Sequence, residues 1–507
     1  MAREICPLSA ELGRQIGVLI DRSGRVVHVI VGDNKSILIP QLSQVRSSTG
    51  RLKGLRCVHT HLKGEDLTQD DLMDLLFLRL DLMAMIKVRK DGLPENLYAA
   101  HLVPRPVDGQ DWAFLPPVPP TRQDQDIRQL ITALEDEFSR TSQTKKVDRN
   151  RDRALLVSVT TSTKKRARES MDELVELVRS DDVVVLDTFI QRRNRINHKF
   201  ILGKGKLGEI MLTALRLNAN LLIFDQELNP SQVSSITDHT EIRVIDRTQL
   251  ILDIFARRAL SREGKLQIEM AQLKYLLPRL GRRDDALSRL TGGIGARGPG
   301  ETKLEIDRRR INDRLSGLAK KLKKVSRERQ QRRSRRRKKN LPVISLIGYT
   351  NAGKSTFLNT LTHSKILAED KLFATLDPTS RRLRFPEDVE VIITDTVGFI
   401  RDLPPELFQA FKATLEELHE ADILVHVIDV SNSRFPEQVL VVDQILRDLH
   451  LEALPCLRVL NKIDRITPEY LQEQAALYQA IPVCALDSTT FDPFLQQARQ
   501  LVLKKWN

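Results

Sequence analysis

The chain has little of what staples, anchors or exports a protein. Its four cysteines, Cys6, Cys57, Cys456 and Cys484, lie far apart without a C-x-x-C pair, which argues against a zinc ribbon or disulfide framework and for a reducing compartment. No apolar run reaches the roughly 18 residues needed to cross a bilayer. The start, MAREICPLSAELGR, lacks the basic-then-apolar order of a signal peptide. The histidines, His28, His59, His61 and His198 among them, show no ligand spacing and read as ordinary surface or core residues. A soluble, cytoplasmic protein without a membrane partner is expected.

Positive charge is in excess. Lys and Arg total 81 against 67 Asp and Glu, a net charge of +14, so a polyanionic partner is the first expectation. The excess is local: Lys320 to Lys339 holds thirteen basic residues and one acid, whereas Leu341 to Asn507 holds 16 basic and 23 acidic residues. The basic stretch has no aromatic residue, so it suits contact with a nucleic-acid backbone without base preference.

At 507 residues the chain exceeds one ordinary core. Residues 1–115 read as an α+β domain, with a β-hairpin over Gly17 to Ile30 and helical spacing over Thr68 to Val88. Residues 116–153 read as a proline-rich and polar linker with a short helix, Pro104 and Pro106 leading in and Pro116, Pro117, Pro119 and Pro120 stiffening it. Alternating strands and helices over 154–255 imply an α/β domain with a parallel sheet. In 256–340, Leu266, Met270, Leu273, Leu277 and Leu280, and then Ile311, Leu315, Leu318, Leu322 and Val325, form two apolar seams. They predict an antiparallel helical hairpin whose first arm Pro278 ends or kinks.

Residues 341–507 carry the chemistry. After an apolar strand, Gly348-Tyr349-Thr350-Asn351-Ala352-Gly353-Lys354-Ser355-Thr356 opens a helix, the context in which G-x-x-x-x-G-K-S cradles phosphates. Lys354 adds charge near the β and γ phosphates, and the Ser355 hydroxyl suits Mg²⁺. A strand over Val391 to Thr394 ends in Asp395-Thr396-Val397-Gly398, where a carboxylate can order the Mg²⁺ shell and the Gly398 N–H can meet the γ-phosphate. Asn461-Lys462-Ile463-Asp464 follows another strand; Asp464 can accept both guanine N1–H and its 2-amine, which adenine does not offer. Cys484, Ala485 and Leu486 end a further strand with backbone donors for the base. Between the first two motifs, Phe373-Ala374-Thr375-Leu376-Asp377-Pro378-Thr379 can bring a second hydroxyl to Mg²⁺, Thr375 preferred over Thr379. Phe399 stands where many GTPases have glutamine, which predicts slow intrinsic hydrolysis. Three motifs in this order predict a P-loop GTPase fold.

Together with Gly292-Gly293-Ile294-Gly295-Ala296-Arg297-Gly298-Pro299-Gly300-Glu301-Thr302, these motifs resemble the HflX family of ribosome-associated GTPases from about Ala154 onward. The residues before Ala154 lie outside that family's usual architecture. The resemblance implies a monomer that binds GTP and GDP with Mg²⁺ and contacts the large (50S) ribosomal subunit and its rRNA. It also implies a role in ribosome splitting or rescue, translation or ribosome biogenesis. Lys354, Thr375 and Gly398 would be catalytic, Ser355 and Thr375 the metal ligands, and Lys204, Lys206, Arg297, Arg332, Arg333, Arg335 and Arg336 RNA-facing. The rival reading is a non-catalytic RNA-binding switch in which GTP only controls conformation. Gly203-Lys204-Gly205-Lys206-Leu207-Gly208 matches G-x-G-x-x-G, with Asp225 further on. Polar lead-in residues and two lysines inside it argue against a dinucleotide site and for a basic loop or a plain turn.

Overall fold

Asp21 turns the chain by accepting the Ser23 and Arg25 amides on Oδ1, each at 2.9 Å. The flanking residues pair as the expected hairpin, β1 (Ile16–Asp21) with β2 (Val26–Val31). The computed structural model describes residues 1–40, 52–107, 110–119, 126–142, 151–196, 201–237, 240, 242–259, 261–282, 303–337, 341–362, 379–385, 389–401 and 416–506. They divide into two units, Met1–Arg247 and Thr248–Asn507.

In the first unit the hairpin opens a six-stranded sheet, β2-β1-β3-β4-β5-β6, with β3 at Leu55–His61, β4 at Leu82–Val88, β5 at Pro94–Val107 and β6 at Gln110–Val118. Side chains alternate across it. Ile16, Val18, Val58, Leu82, Ala84 and Ile86 meet Ile5 and Cys6 of α1 (Ala2–Leu12) in one cluster. Leu19, Cys57 and Met83 belong to a second, with α2 (Gln69–Phe77) and α3 (Ile127–Ser142). The helical spacing over Thr68 to Val88 is therefore half right. Arg79 takes φ 51°, which ends the helix, and Leu82–Val88 lies between two other strands, where a continuous apolar run suits a strand buried on both faces. The expected proline connector is also displaced. Pro104 and Pro106 fall where the β5–β6 register breaks, and Pro116 and Pro117 lie on the edge strand β6, positions where a missing N–H costs no ladder bond.

The α/β sheet has order β10-β9-β7-β8, all parallel, with β7 at Arg153–Thr160, β8 at Val184–Arg192, β9 at Leu221–Phe224 and β10 at Arg243–Asp246. Helices α4 (Lys164–Ser180), α5 (Lys204–Leu217) and α6 (Pro230–Thr237) connect the strands. One apolar cluster, from Leu19 to Ile242, runs through both sheets, and Arg216 on α5 pairs with Asp111 at 3.1 Å. The G-x-G-x-x-G segment is the first turn of α5, capped by Gly203. A Cβ at Gly208 would stand 2.5 Å from Met73 and 2.8 Å from Leu76 of α2, so this glycine allows close helix packing. Lys206 donates to Glu209 at 2.6 Å, so its charge is partly balanced within the turn. Lys204 lies in the same turn.

Asp225 is spent on packing. Its carboxylate accepts from Ser158 at 3.1 Å, Ser170 at 2.7 Å and Arg247 at 3.1 Å, and Arg247 also pairs with Glu173 at 3.0 Å. All three charged side chains are buried. Arg247→Ala would remove the buried cation that pairs with both acids and is expected to destabilise the first unit by about 3–5 kcal/mol. A denaturation midpoint unchanged by the substitution would count against this network.

The second unit holds the expected hairpin. Its first arm, Arg262–Leu276, gives way at Leu277-Pro278 to a 3₁₀ turn, and its second, Lys303–Arg337, carries Arg314, which pairs with Glu269 of the first at 2.6 Å. The buried residues of the first arm are Gln267, Ile268, Ala271 and Tyr275; the leucine seam sits beside them, half-buried. On the second arm Leu318 is buried. Arg332, Arg333, Arg335 and Arg336 belong to this helix. The glycine-rich segment, with Arg297, lies outside the described residues. The last sheet has order β12-β13-β11-β14-β15-β16, parallel except for β12. Its strands are β11 (Val343–Ile347), β12 (Thr379–Arg384), β13 (Glu390–Asp395), β14 (Ile423–Asp429), β15 (Cys456–Asn461) and β16 (Ile481–Pro482). The motifs that begin at Gly348, Asp395, Asn461 and Cys484 stand at the carboxyl ends of the parallel strands, the edge where open α/β sheets bind ligands.

Candidate active site

Strand β11 ends in Gly348, and the loop turns through Asn351 (φ 62°) and Gly353 (φ 92°) into the helix Lys354–Thr362. A Cβ at Gly353 would collide with the Asn461 amide nitrogen, so glycine is required by conformation and by space. The helix presents its first amides to the loop, the arrangement that receives a phosphate. Lys354 folds back over it, its Nζ donating to the carbonyls of Tyr349 at 2.9 Å and Gly348 at 3.2 Å. Burial pushes the Lys354 ammonium down to about 8, with the Asp395 carboxylate working in the opposite direction.

Ser355 Oγ donates to Asp395 Oδ2 at 2.7 Å. Thr396 donates to the Leu346 carbonyl at 2.6 Å and Ser345 exchanges a 2.8 Å bond with Thr394, which locks β13 against β11. Beyond Asp395, the Phe399 N–H bonds Gly348 O at 3.1 Å and the Thr350 N–H bonds Phe399 O at 2.8 Å. The phosphate loop and the segment after Gly398 are thus joined by backbone. Phe399 itself is buried, as are Thr350, Val397 and Ile400, so the side chain at this position packs and offers nothing to a water molecule. The N–H of Arg401 donates to the Tyr349 hydroxyl at 2.9 Å, a second tie between these segments.

On the base side the structure redistributes two expected roles. Asn461 is buried and braced: its Nδ2 donates to Ala352 O at 2.8 Å, and its Oδ1 accepts the Ala485 N–H at 2.9 Å. It joins the phosphate loop to the segment after β16, where a base-reading role was expected. The Cys484 N–H is held by Thr490 Oγ1 at 2.9 Å, so the Cys484 and Ala485 amides, expected to face the base, serve internal bonds. Leu486 is exposed. Asp464, expected to read the base, lies in the short 3₁₀ turn that follows β15. Its carboxylate is 46% exposed, accepts a long 3.4 Å contact from Cys484 Sγ and lies 3.9 Å from Arg465 Nε. Lys462, at φ 63°, pairs with Asp429 at 2.8 Å. Asp429, Thr360 (2.6 Å to Ala485 O) and Thr490 are supports that the sequence did not single out; the only cue for Asp429 is its place at the end of an apolar strand. Phe373, Ala374, Thr375, Leu376 and Asp377 lie outside the described residues.

A glycine loop with a buried lysine at a helix start, a paired serine and aspartate, and a half-exposed carboxylate on a fourth strand end define a P-loop GTPase. Comparison with known proteins agrees. Residues 343–462 match the family described as 50S ribosome-binding GTPase, residues 168–256 the GTP-binding GTPase N-terminal family, and residues 258–336 the GTP-binding GTPase middle region. The GTPase HflX of Caldanaerobacter subterraneus subsp. tengcongensis is 48% identical over 316 residues, which span 62% of this chain and 73% of that protein. The GTPase HflX of Escherichia coli K12 is 44% identical over 304 residues, 60% of this chain and 71% of its own length. A solved GTP-binding protein from Sulfolobus solfataricus in complex with GDP is 26% identical, covering 70% of this chain and 99% of its own, at a TM-score of 0.40. The chain belongs to the HflX family of GTPases. The matched family models begin at residue 168 and leave the first sheet without a counterpart. Among the described residues no helix is long and apolar enough to cross a membrane.

Proposed function

We propose that this GTPase works on the large ribosomal subunit, with rRNA as its polyanionic partner and the far end of the helix Lys303–Arg337 as its main electrostatic contact. The observation that carries the reading is the match of residues 343–462 to a family described as 50S ribosome-binding. It is supported by the thirteen basic residues between Lys320 and Lys339, most of them within that helix. Arg332, Arg333, Arg335 and Arg336 are the proposed backbone-phosphate contacts, and Arg297 in the glycine-rich segment is the proposed close contact. Splitting or rescue of stalled ribosomes is the task this assignment favours.

In the proposed mechanism, the loop amides and Lys354 hold the phosphates, the Gly398 N–H and Lys354 stabilise charge on the γ-phosphate, and Asp464 selects guanine. The hydroxyl of Ser355 and the carboxylate of Asp395 form a hard-oxygen pair that fits Mg²⁺, which takes few protein oxygens and keeps several waters; Thr375 is the proposed second hydroxyl. When bound, Mg²⁺ would neutralise charge on the β and γ phosphate oxygens. The reaction is in-line attack of water on the γ-phosphate. With Phe399 buried, hydrolysis is slow until the ribosome supplies a group that orients the water.

Two measurements test this. In sedimentation with a non-hydrolysable GTP analogue, the protein should travel with large subunits; protein left at the top of the gradient would refute the assignment. Removing Arg327 to Lys339 should weaken that binding and flatten its salt dependence while GTP affinity stays unchanged, whereas an equal loss of GTP affinity would refute the separation of roles. Phosphate release unchanged by added subunits would favour a switch without stimulated catalysis.

A further inference from the structure

We propose that His59, His61 and Asp71 of the first domain bind a divalent transition-metal ion of the zinc class, apart from the nucleotide site. Alternation along β3 puts His59 and His61 on one face of the sheet, and α2 brings Asp71 to them from its first turn. His59 and His61 are 0% and 1% exposed and Asp71 is 7% exposed, so the three groups meet inside the fold. The two Nε2 atoms are 2.9 Å apart, and the Asp71 oxygens lie 3.3 Å from His59 Nε2 and 3.5 Å from His61 Nε2. Ligands held roughly 2.0–2.1 Å from a tetrahedral zinc are separated from one another by roughly 3.3 Å. The two carboxylate distances, one to each Asp71 oxygen, lie near that value and the hydrogen-bonded imidazoles stand closer, so a small opening of the histidine pair would give three corners of the tetrahedron.

The surroundings orient these donors. His61 Nδ1 donates to the Glu65 carbonyl at 3.2 Å, which fixes the proton on Nδ1 and leaves the Nε2 lone pair to accept from His59 Nε2–H, a proton that a bound ion would displace. The Thr68 N–H and Oγ1 donate to Asp71 Oδ2 at 2.7 and 2.6 Å, which holds the carboxylate in place. Glu65 Oε2 is itself buried with no hydrogen-bond partner among the described residues. The donor set that comes within reach is two imidazoles and a carboxylate. Water completes the fourth position. Bound there, the ion would tie β3 to α2, whose Met73 and Leu76 pack on Gly208 of α5, and so would fasten the first domain to the α/β domain.

The test is a titration of the chelator-stripped full chain with Zn²⁺, without nucleotide and with excess Mg²⁺ present to mask the oxygen pair at Ser355. One equivalent should bind per chain, and Co²⁺ in its place should give the visible absorption of a four-coordinate nitrogen and oxygen site. Asp71→Asn and His61→Ala should each weaken Zn²⁺ binding about 100-fold or more, with far-UV circular dichroism and GTP hydrolysis unchanged. Equal Zn²⁺ affinity in folded variants would overturn the proposal. So would a folded wild-type chain that takes up no zinc, and that arm decides the question even if both variants fail to fold.

Discussion

Lys354→Ala is expected to lower GTP turnover by about 100- to 1,000-fold, the usual loss when one preorganised charge at a phosphoryl centre is removed. The side chain is buried, and without nucleotide its Nζ is occupied by the Gly348 and Tyr349 carbonyls. A triphosphate would exchange these neutral acceptors for charged ones. The same burial predicts a pH dependence. Its ammonium titrates near about 8 in the free protein, and a phosphate beside it raises that value, so above about pH 8 binding must take up a proton. Affinity should therefore be flat below pH 8 and fall up to about tenfold per pH unit above it. Titration calorimetry in buffers of different ionisation enthalpy reads this proton directly; affinity constant from about pH 7 to 9.5 would contradict it. Lys354→Arg should not rescue turnover, because a planar guanidinium cannot occupy the space of a point charge.

Asp464→Asn should cost about 100-fold or more in GTP affinity and abolish the preference for GTP over other purine triphosphates. The size of the effect follows from Asn461. With its amide bonded to Ala352 and Ala485, and with the Cys484 and Ala485 amides held internally, guanine recognition concentrates on one half-exposed carboxylate. An amide there loses an acceptor and gains a donor, so a base with a carbonyl in place of the 2-amine should gain relative to guanine. Competition binding measures the ratio. A GTP-over-ATP preference left intact in the folded variant would move recognition elsewhere.

What could be read from residues alone depended on how local the determinant was. Glycine spacing, the G-K-S helix start and the alternation from Ala154 onward are short-range signals, and the strands and helices stand where those signals put them. The run over Thr68 to Val88 misled because its apolar residues satisfy a helical period up to Phe77 and a buried strand after Arg79, and only the sheet neighbours separate the two. The leucine seam of the first hairpin arm misled in rotation, since Ala271 and Gln267 are buried and several leucines are half-buried. Asn461 looked like a base reader because its motif sits at a strand end, and its bracing bonds join residues 109 and 24 positions away. His59 and His61 were passed over because their third partner, Asp71, comes into reach only when α2 folds back on β3. The signal was nonetheless present, in two histidines one residue apart on an apolar strand.

Gly208 carries a consequence for how this chain can be divided. Here the approach of Met73 and Leu76 forbids a β-carbon. A chain begun at Ala154 would therefore present solvent with an apolar surface shaped for a missing neighbour, and it should self-associate.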